Sequence, residues 1–183
     1  MRATHEMTEN TSLQLNVLRV VEGTSVDGPG LRTSVYVAGC PHHCQGCHNP
    51  QSWTFGGGTP ISIDNLLKQI ADNDAPLTLS GGDPLAQPEA VCELVRRVKG
   101  ELRLNIWCYT GYTWEQILAR PELAAVMRHI DVLVDSPFIL AKRDTTLPFR
   151  GSSNQRLIDV AASLAKRQIV LWEGQRVRNL LAM

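Results

Sequence analysis

The fold follows from residues 32–50, RTSVYVAGCPHHCQGCHNP. Val35, Tyr36 and Val37 are β-branched and aromatic, the pattern of a buried strand. Ala38-Gly39 ends that run and delivers the chain into three cysteines, Cys40, Cys44 and Cys47. The cysteines are therefore expected on a loop at the C-terminal end of a strand, where α/β folds keep their active sites.

Outward from this point, strand and helix patterns alternate. Upstream, residues 13–21 are a β-type run, separated from the strand by the turn-rich EGTSVDGPG. Downstream, Ser62 is placed to cap a helix through residue 73, with Ile63, Leu66, Leu67 and Ile70 on one face. Residues 77–80 read as a strand broken by Gly81-Gly82-Asp83-Pro84, and residues 87–99 as an amphipathic helix. Residues 104–109 are a strand, 114–130 a helix interrupted at Pro121, 131–135 and 154–158 strands, 160–167 a helix and 169–172 a last strand. About six strands alternating with helices predict right-handed βαβ units in a mostly parallel sheet. An eightfold barrel takes about 250 residues, and this chain has 183. The expected fold is thus α/β, an open, partial β/α barrel of about six mostly parallel strands. A single domain over residues 13–183 follows a flexible polar leader, residues 1–12.

Composition narrows the function classes. A hydrophobic content of 43% supports one continuous core. Eighteen Lys plus Arg balance eighteen Asp plus Glu, so no net charge draws the protein to nucleic acid or an anionic membrane, and neither is expected as a partner. No apolar run approaches the roughly 18 residues of a membrane span, and the leader lacks an apolar targeting core. Five unevenly spaced cysteines argue against a disulfide framework and for free thiols in a reducing, cytoplasmic setting.

A Cys-x3-Cys-x2-Cys loop can wrap one small inorganic centre, because so short a segment lets its sulfurs converge without crossing secondary structure. Structural zinc wants four closed ligands, and the nearest fourth candidates are His42, His43 and His48. On that reading the protein is a zinc-stabilised interaction module. Electron-carrying ferredoxins use four cysteines per four-iron cluster. Cys92 adjoins the apolar stripe of its helix and Cys108 alternates with Leu104 and Ile106, so both read as small core residues. The stronger reading is a four-iron cluster with three protein ligands and one open iron, and an open iron is a catalytic site.

The triplet resembles the cluster motif of the radical S-adenosylmethionine (SAM) superfamily. Residues 26–32, VDGPGLR, resemble the glycyl-radical-enzyme activases within it, and Gly81–Pro84 is similar to the superfamily's second signature. The turn Tyr109-Thr110-Gly111-Tyr112 and FRGSSNQR, residues 149–156, resemble the anaerobic ribonucleoside-triphosphate reductase-activating family. The resemblance runs from about residue 15 to residue 160.

It implies a 4Fe-4S cluster held by Cys40, Cys44 and Cys47, with SAM bound at the open iron. Gly46, Cys47, His48, Gly81, Gly82 and Asp83 are the implied SAM contacts, glycine allowing backbone to approach the methionine amino group. The implied reaction is that of an activating oxidoreductase. One electron cleaves SAM to methionine and a 5′-deoxyadenosyl radical, which takes a hydrogen from a glycine Cα of the anaerobic ribonucleoside-triphosphate reductase. A low-potential donor such as reduced flavodoxin or ferredoxin is implied as well. Asp27, Gly28, Pro29, Gly30 and Arg32 are implied at the mouth where the partner's glycine loop enters. In one departure, Gly46 stands where the superfamily usually has an aromatic residue against adenine, and His48 is the nearest ring. Two enzymatic alternatives are an activase of another glycyl-radical enzyme, of the pyruvate formate-lyase type, and a radical SAM enzyme acting on a small molecule. Arg150 and Arg156 are expected to meet the partner or to pair with carboxylates.

Overall fold

A computed structural model of the protein describes residues 13–174. The proposed leader, residues 1–12, lies outside them. Seven strands form one sheet: β1 (Gln14–Thr24), β2 (Arg32–Val37), β3 (Thr59–Ser62), β4 (Leu77–Gly81), β5 (Ile106–Tyr109), β6 (Val132–Asp135) and β7 (Arg156–Asp159). Their order is β3-β1-β2-β4-β5-β6-β7. The sheet is not closed, since β3 and β7 are its two edges.

The expectation of about six mostly parallel strands needs correcting. The pairings β2/β4, β4/β5 and β5/β6 are parallel, while β1/β2, β1/β3 and β6/β7 are antiparallel. The connections explain this, because a parallel pairing needs a crossover of a dozen or more residues, usually a helix. Residues 25–31 are too few to cross over, so β2 folds back on β1. The link from β6 to β7 is long, but its only helical piece is a single 3₁₀ turn, Leu140–Lys142. Strand β3 was hidden by its brevity and by Pro60, which an edge strand tolerates. Of the strand expected at residues 169–172, only a bridge between Leu171 and Ile158 forms.

Five α-helices cover one face: α1 (Ile63–Asn73), α2 (Pro88–Arg97), α3 (Trp114–Leu118), α4 (Pro121–Met127) and α5 (Val160–Lys166). Ser62 caps α1 by accepting from the Asn65 N–H, and Thr113 and Gln116 form a reciprocal capping box on α3. Pro121 starts α4, where its missing N–H costs nothing. Cys92 packs against the main core and Cys108 lies inside it, as expected of small apolar residues.

Period-two alternation divides the central strands between two environments. Val35, Val37, Leu77, Leu79, Ile106, Cys108 and Leu133 face the helices and pack with Leu66, Ile70, Leu94 and Met127. Full burial of each such aliphatic side chain contributes about 1.5–3 kcal/mol. The opposite face is mixed. Arg32, Ser34, Tyr36, Thr78, Ser80, Trp107 and Tyr109 occupy the alternate positions, and Trp107 anchors a second apolar cluster with Val132, Val134 and Leu157. A polar face along otherwise buried parallel strands is where function is to be sought.

Candidate functional site

A cavity of about 540 Å³ opens against this second face. Its walls come from widely separated segments: Asp27 and Tyr36, Cys44, Cys47 and His48, Ser80 and Gly81, Tyr109, and Phe138, Leu147, Phe149 and Gln155 from the stretch before β7. The structure therefore brings two of the three motif cysteines, His48, Gly81 and Asp27 to one space. Cys40 stands at the start of the same loop, half-buried like the other two.

The cysteine loop is held by backbone geometry. The Cys40 N–H donates to the Trp53 carbonyl, and the Cys47 N–H to the Cys44 carbonyl. His43 stacks on Trp53 with ring centroids 4.9 Å apart. Gly46 has φ +74°, a left-handed conformation that suits glycine. A Cβ there would also stand 2.9 Å from Leu140 Cδ1, so a side chain at this position would have to displace that of Leu140. His48 sits instead beside Phe138, centroids 5.2 Å apart.

The sulfurs suit an iron–sulfur centre in their surroundings. Burial raises the thiol pKa of Cys40 and Cys44, while the backbone amides of His42 and His43 at Cys40, and of Phe138 at Cys44, favour the thiolate. The Asn49 N–H donates to Cys47 Sγ at 3.3 Å. Such N–H donors to sulfur stabilise the anionic ligand and tune a cluster's potential.

Gly81 and Gly82 owe their identity first to packing. Gly81 has φ +100°, and a Cβ there would lie 2.5 Å from the Val37 nitrogen; at Gly82 it would lie 2.3 Å from the Gly39 carbonyl oxygen. The Gly82 N–H donates to the Val37 carbonyl and the Asp83 N–H to that of Gly39. The turn after β4 is thus laced to the end of β2, directly before the cysteines. Asp83, expected to contact SAM, is fully buried and its carboxylate already accepts from the Leu85 and Gly111 N–H groups and from Thr110 Oγ1.

Arg32 departs most from expectation. The family resemblance implies a place at the mouth facing a partner, yet the side chain is 1% exposed. Its guanidinium donates to Thr78 Oγ1 and the Leu77 carbonyl, both at 2.7 Å, and lies over the Trp107 ring. Burial pulls its pKa down to about 10, so it remains a cation at neutral pH. The turn before it packs on this buried charge: Gly28 has φ +143°, and a Cβ would stand 2.8 Å from Arg32 Cδ. Asp27 accepts from the Tyr36 hydroxyl and its carbonyl from Thr78 Oγ1. Pro29 and Gly30 remain exposed. Arg32 supports the turn from below and does not itself face outward.

FRGSSNQR ties down the segment that roofs the cavity. Gln155 Oε1 accepts from the Gly151 and Ser152 N–H groups, its Nε2 donates to the Ser136 carbonyl, and Asn154 donates to that of Pro137. Phe138 and Phe149 are thereby fixed on the cavity wall. Sequence reasoning missed these two rings, Tyr36 and Tyr109 because they are scattered along the chain; the motif was the signal, but its bonds are internal to its own loop.

Arg156 resolves toward carboxylates. It pairs with Asp135, which is fully buried and accepts from the Trp114 N–H, and with Glu115 at the surface. Arg156→Gln would leave the Asp135 carboxylate buried without its cation, and a loss of about 3 kcal/mol is expected by urea unfolding. Hydrogen bonds from Arg156 hold the Glu115 carboxyl down to about 2. A depressed carboxyl contributes stability above its unfolded pKa that is lost as pH falls through the folded one. The gap between Arg156→Gln and the unaltered protein should therefore narrow on acidification from about pH 4.5 toward 2, and unfolding midpoints across that range will show it.

Comparison with known proteins fits this architecture. A family profile described as a 4Fe-4S single cluster domain matches residues 26–158, and defines the chain's class as a single-cluster iron–sulfur protein. Relatives narrow it further. An anaerobic ribonucleoside-triphosphate reductase-activating protein from Haemophilus influenzae is 37% identical over 152 residues, 77% of this chain and 96% of its own length. Its counterpart in Vibrio cholerae is 40% identical over 139 residues, 71% and 88% of the two chains. That of Enterobacteria phage T4 is 34% identical over 155 residues, 78% and 93%. The chain belongs to the family of anaerobic ribonucleoside-triphosphate reductase-activating proteins. No described helix is long and apolar enough to cross a membrane.

Proposed function

We propose that this protein is a radical SAM activase that generates a glycyl radical on the anaerobic ribonucleoside-triphosphate reductase. The observation that carries the reading is the common cavity, which gathers Cys44, Cys47, His48 and Gly81. Cys40, Cys44 and Cys47 would hold the 4Fe-4S cluster. When bound there, the cluster would supply one electron for reductive cleavage of the SAM C5′–S bond, and the hydrogen lost from the partner's glycine Cα would end in 5′-deoxyadenosine, beside methionine and the glycyl radical.

The chain's own groups bind and orient. The Gly81-Gly82 turn would offer backbone to the methionine end of SAM, while Gly46, Cys47 and His48 would take part in holding the remainder. The Tyr36 hydroxyl is pushed up to about 12 by burial and by its bond to Asp27, and burial raises that of Tyr109 further. The phenols thus stay neutral and, with Phe138 and Phe149, furnish an aromatic wall beside Asp27, whose carboxylate is engaged by the Tyr36 hydroxyl. Asp27, Gly28, Pro29 and Gly30 form a turn at the cavity's edge, buttressed by Arg32, for the glycine-bearing loop. The unclosed sheet, read as the open barrel of radical SAM enzymes, leaves a side for that loop. The reading includes a cytoplasmic setting and a low-potential donor of the flavodoxin or ferredoxin kind.

The test is an anaerobic incubation of reduced protein, SAM and the reductase. A doublet glycyl signal by electron paramagnetic resonance, with 5′-deoxyadenosine in comparable amount, is expected. Iron-loaded, reduced protein that yields neither product would overturn the proposal.

A further inference from the structure

We infer that His42 is a positioning residue: through the buried Asp83 carboxylate it locks the cysteine loop onto the Gly81-Gly82 turn, and so sets the register between cluster and bound SAM. This rests on the radical SAM reading above.

His42 lies between Cys40 and Cys44, and its Nε2 is 2.6 Å from Asp83 Oδ2. The same carboxylate accepts from the Leu85 N–H at 2.9 Å, the Gly111 N–H at 3.0 Å and Thr110 Oγ1 at 2.9 Å. With two backbone amides aimed at it, the carboxylate is an acceptor and the imidazole donates. Leu85 follows the turn after β4, Thr110 and Gly111 form the turn after β5, and His42 belongs to the loop after β2. One fully buried group therefore joins the C-terminal ends of three neighbouring parallel strands, and His42 is the arm that reaches it from the cysteines.

A second observation points the same way. A Cβ on Gly111 would stand 2.3 Å from His42 Cδ2, although the φ of Gly111 is not left-handed, so its backbone does not call for glycine. The imidazole does. The ring also meets Tyr112 edge-on, centroids 4.6 Å apart. Backbone bonds at Gly39 and Cys40 fix the stem of the loop and the Cys47 N–H closes a turn onto the Cys44 carbonyl, while His42 ties the span between Cys40 and Cys44 to the turn after β4.

His42→Ala should keep its iron while the KM for SAM rises about tenfold and kcat changes less, as for a lost hydrogen bond to a charged group. His42→Gln, which retains an N–H, should recover most of the difference. Gly111→Ala should mimic His42→Ala by displacing the ring, and the double variant should be no worse than His42→Ala alone, because the clash is gone. Iron content, SAM cleavage kinetics and the change in the reduced cluster's electron paramagnetic resonance spectrum on adding SAM are read for each full-length, reconstituted variant. If His42→Ala cannot hold iron, recovery of iron by His42→Gln with a raised KM supports the inference, and failure of both variants to hold iron makes the histidine merely structural and overturns it. An unchanged KM in His42→Ala, or a Gly111→Ala defect that adds fully to it, also overturns it. If the unaltered protein does not cleave SAM, the radical SAM reading itself falls, and this inference with it.

Discussion

Cys44→Ala is expected to leave a folded, nearly colourless protein whose SAM cleavage is at background, with the same result for Cys40→Ala and Cys47→Ala. Two thiolates do not retain a four-iron centre on a loop, and the neighbouring imidazoles are otherwise engaged: His42 by Asp83, His43 by stacking on Trp53 and His48 by packing on Phe138. Cys108→Ala and Cys92→Ala are the controls. Cys108 is fully buried, and burial raises its thiol pKa well above the ordinary value, so it persists as a neutral thiol, a poor ligand. Its loss should cost about 1 kcal/mol through the small void left, with the iron retained. Iron content and absorbance after anaerobic reconstitution distinguish the two groups; a triplet variant that still cleaves SAM would refute the ligand assignment.

Gly81→Ala should be strongly damaging, because it combines a backbone clash with a left-handed φ. The added carbon meets the Val37 backbone on both sides, 2.5 Å from its nitrogen and 2.7 Å from its oxygen, at φ +100°. Relief requires β4 to move away from β2, the pairing that brings Gly81 level with Val37. Strain of about 1–3 kcal/mol for the backbone alone adds to the broken packing, and a loss of about 4 kcal/mol or more is expected in denaturant unfolding. Gly100→Ala supplies the contrast, since nothing lies within 4 Å of a Cβ there; its stability should change by no more than about 1 kcal/mol. Equal stability of the two variants would show that the close approach of β2 and β4 is not held as described.

What the sequence disclosed, and what it hid, has a physical pattern. β2, the Ser62 cap, the break at Pro121 and the core placement of Cys92 and Cys108 depend on local periodicity or backbone chemistry, and each was legible. β3 is four residues long and gains its strand character only from β1. Strand direction at β1/β2 and β6/β7 depends on what the connections fail to contain. Arg32 reads as a surface cation because arginine is seldom fully buried, and only Thr78, Leu77 and Trp107, distant in sequence, make its burial acceptable. Asp83 was legible as important, but its partners come from three separate loops, so its role as an internal hub was not. The cysteine loop itself is legible because all its signals lie within eight residues.

The roof of the cavity also bears on how the protein is made. Its walls run from Arg19 to Gln155, and Gln155 bonds back to Gly151, Ser152 and Ser136. A nascent chain therefore displays its three cysteines about a hundred residues before the chamber around them exists. Thiols held that long without walls are open to oxidation and to adventitious metals. A cofactor bound before Gln155 has joined the fold would sit without these walls.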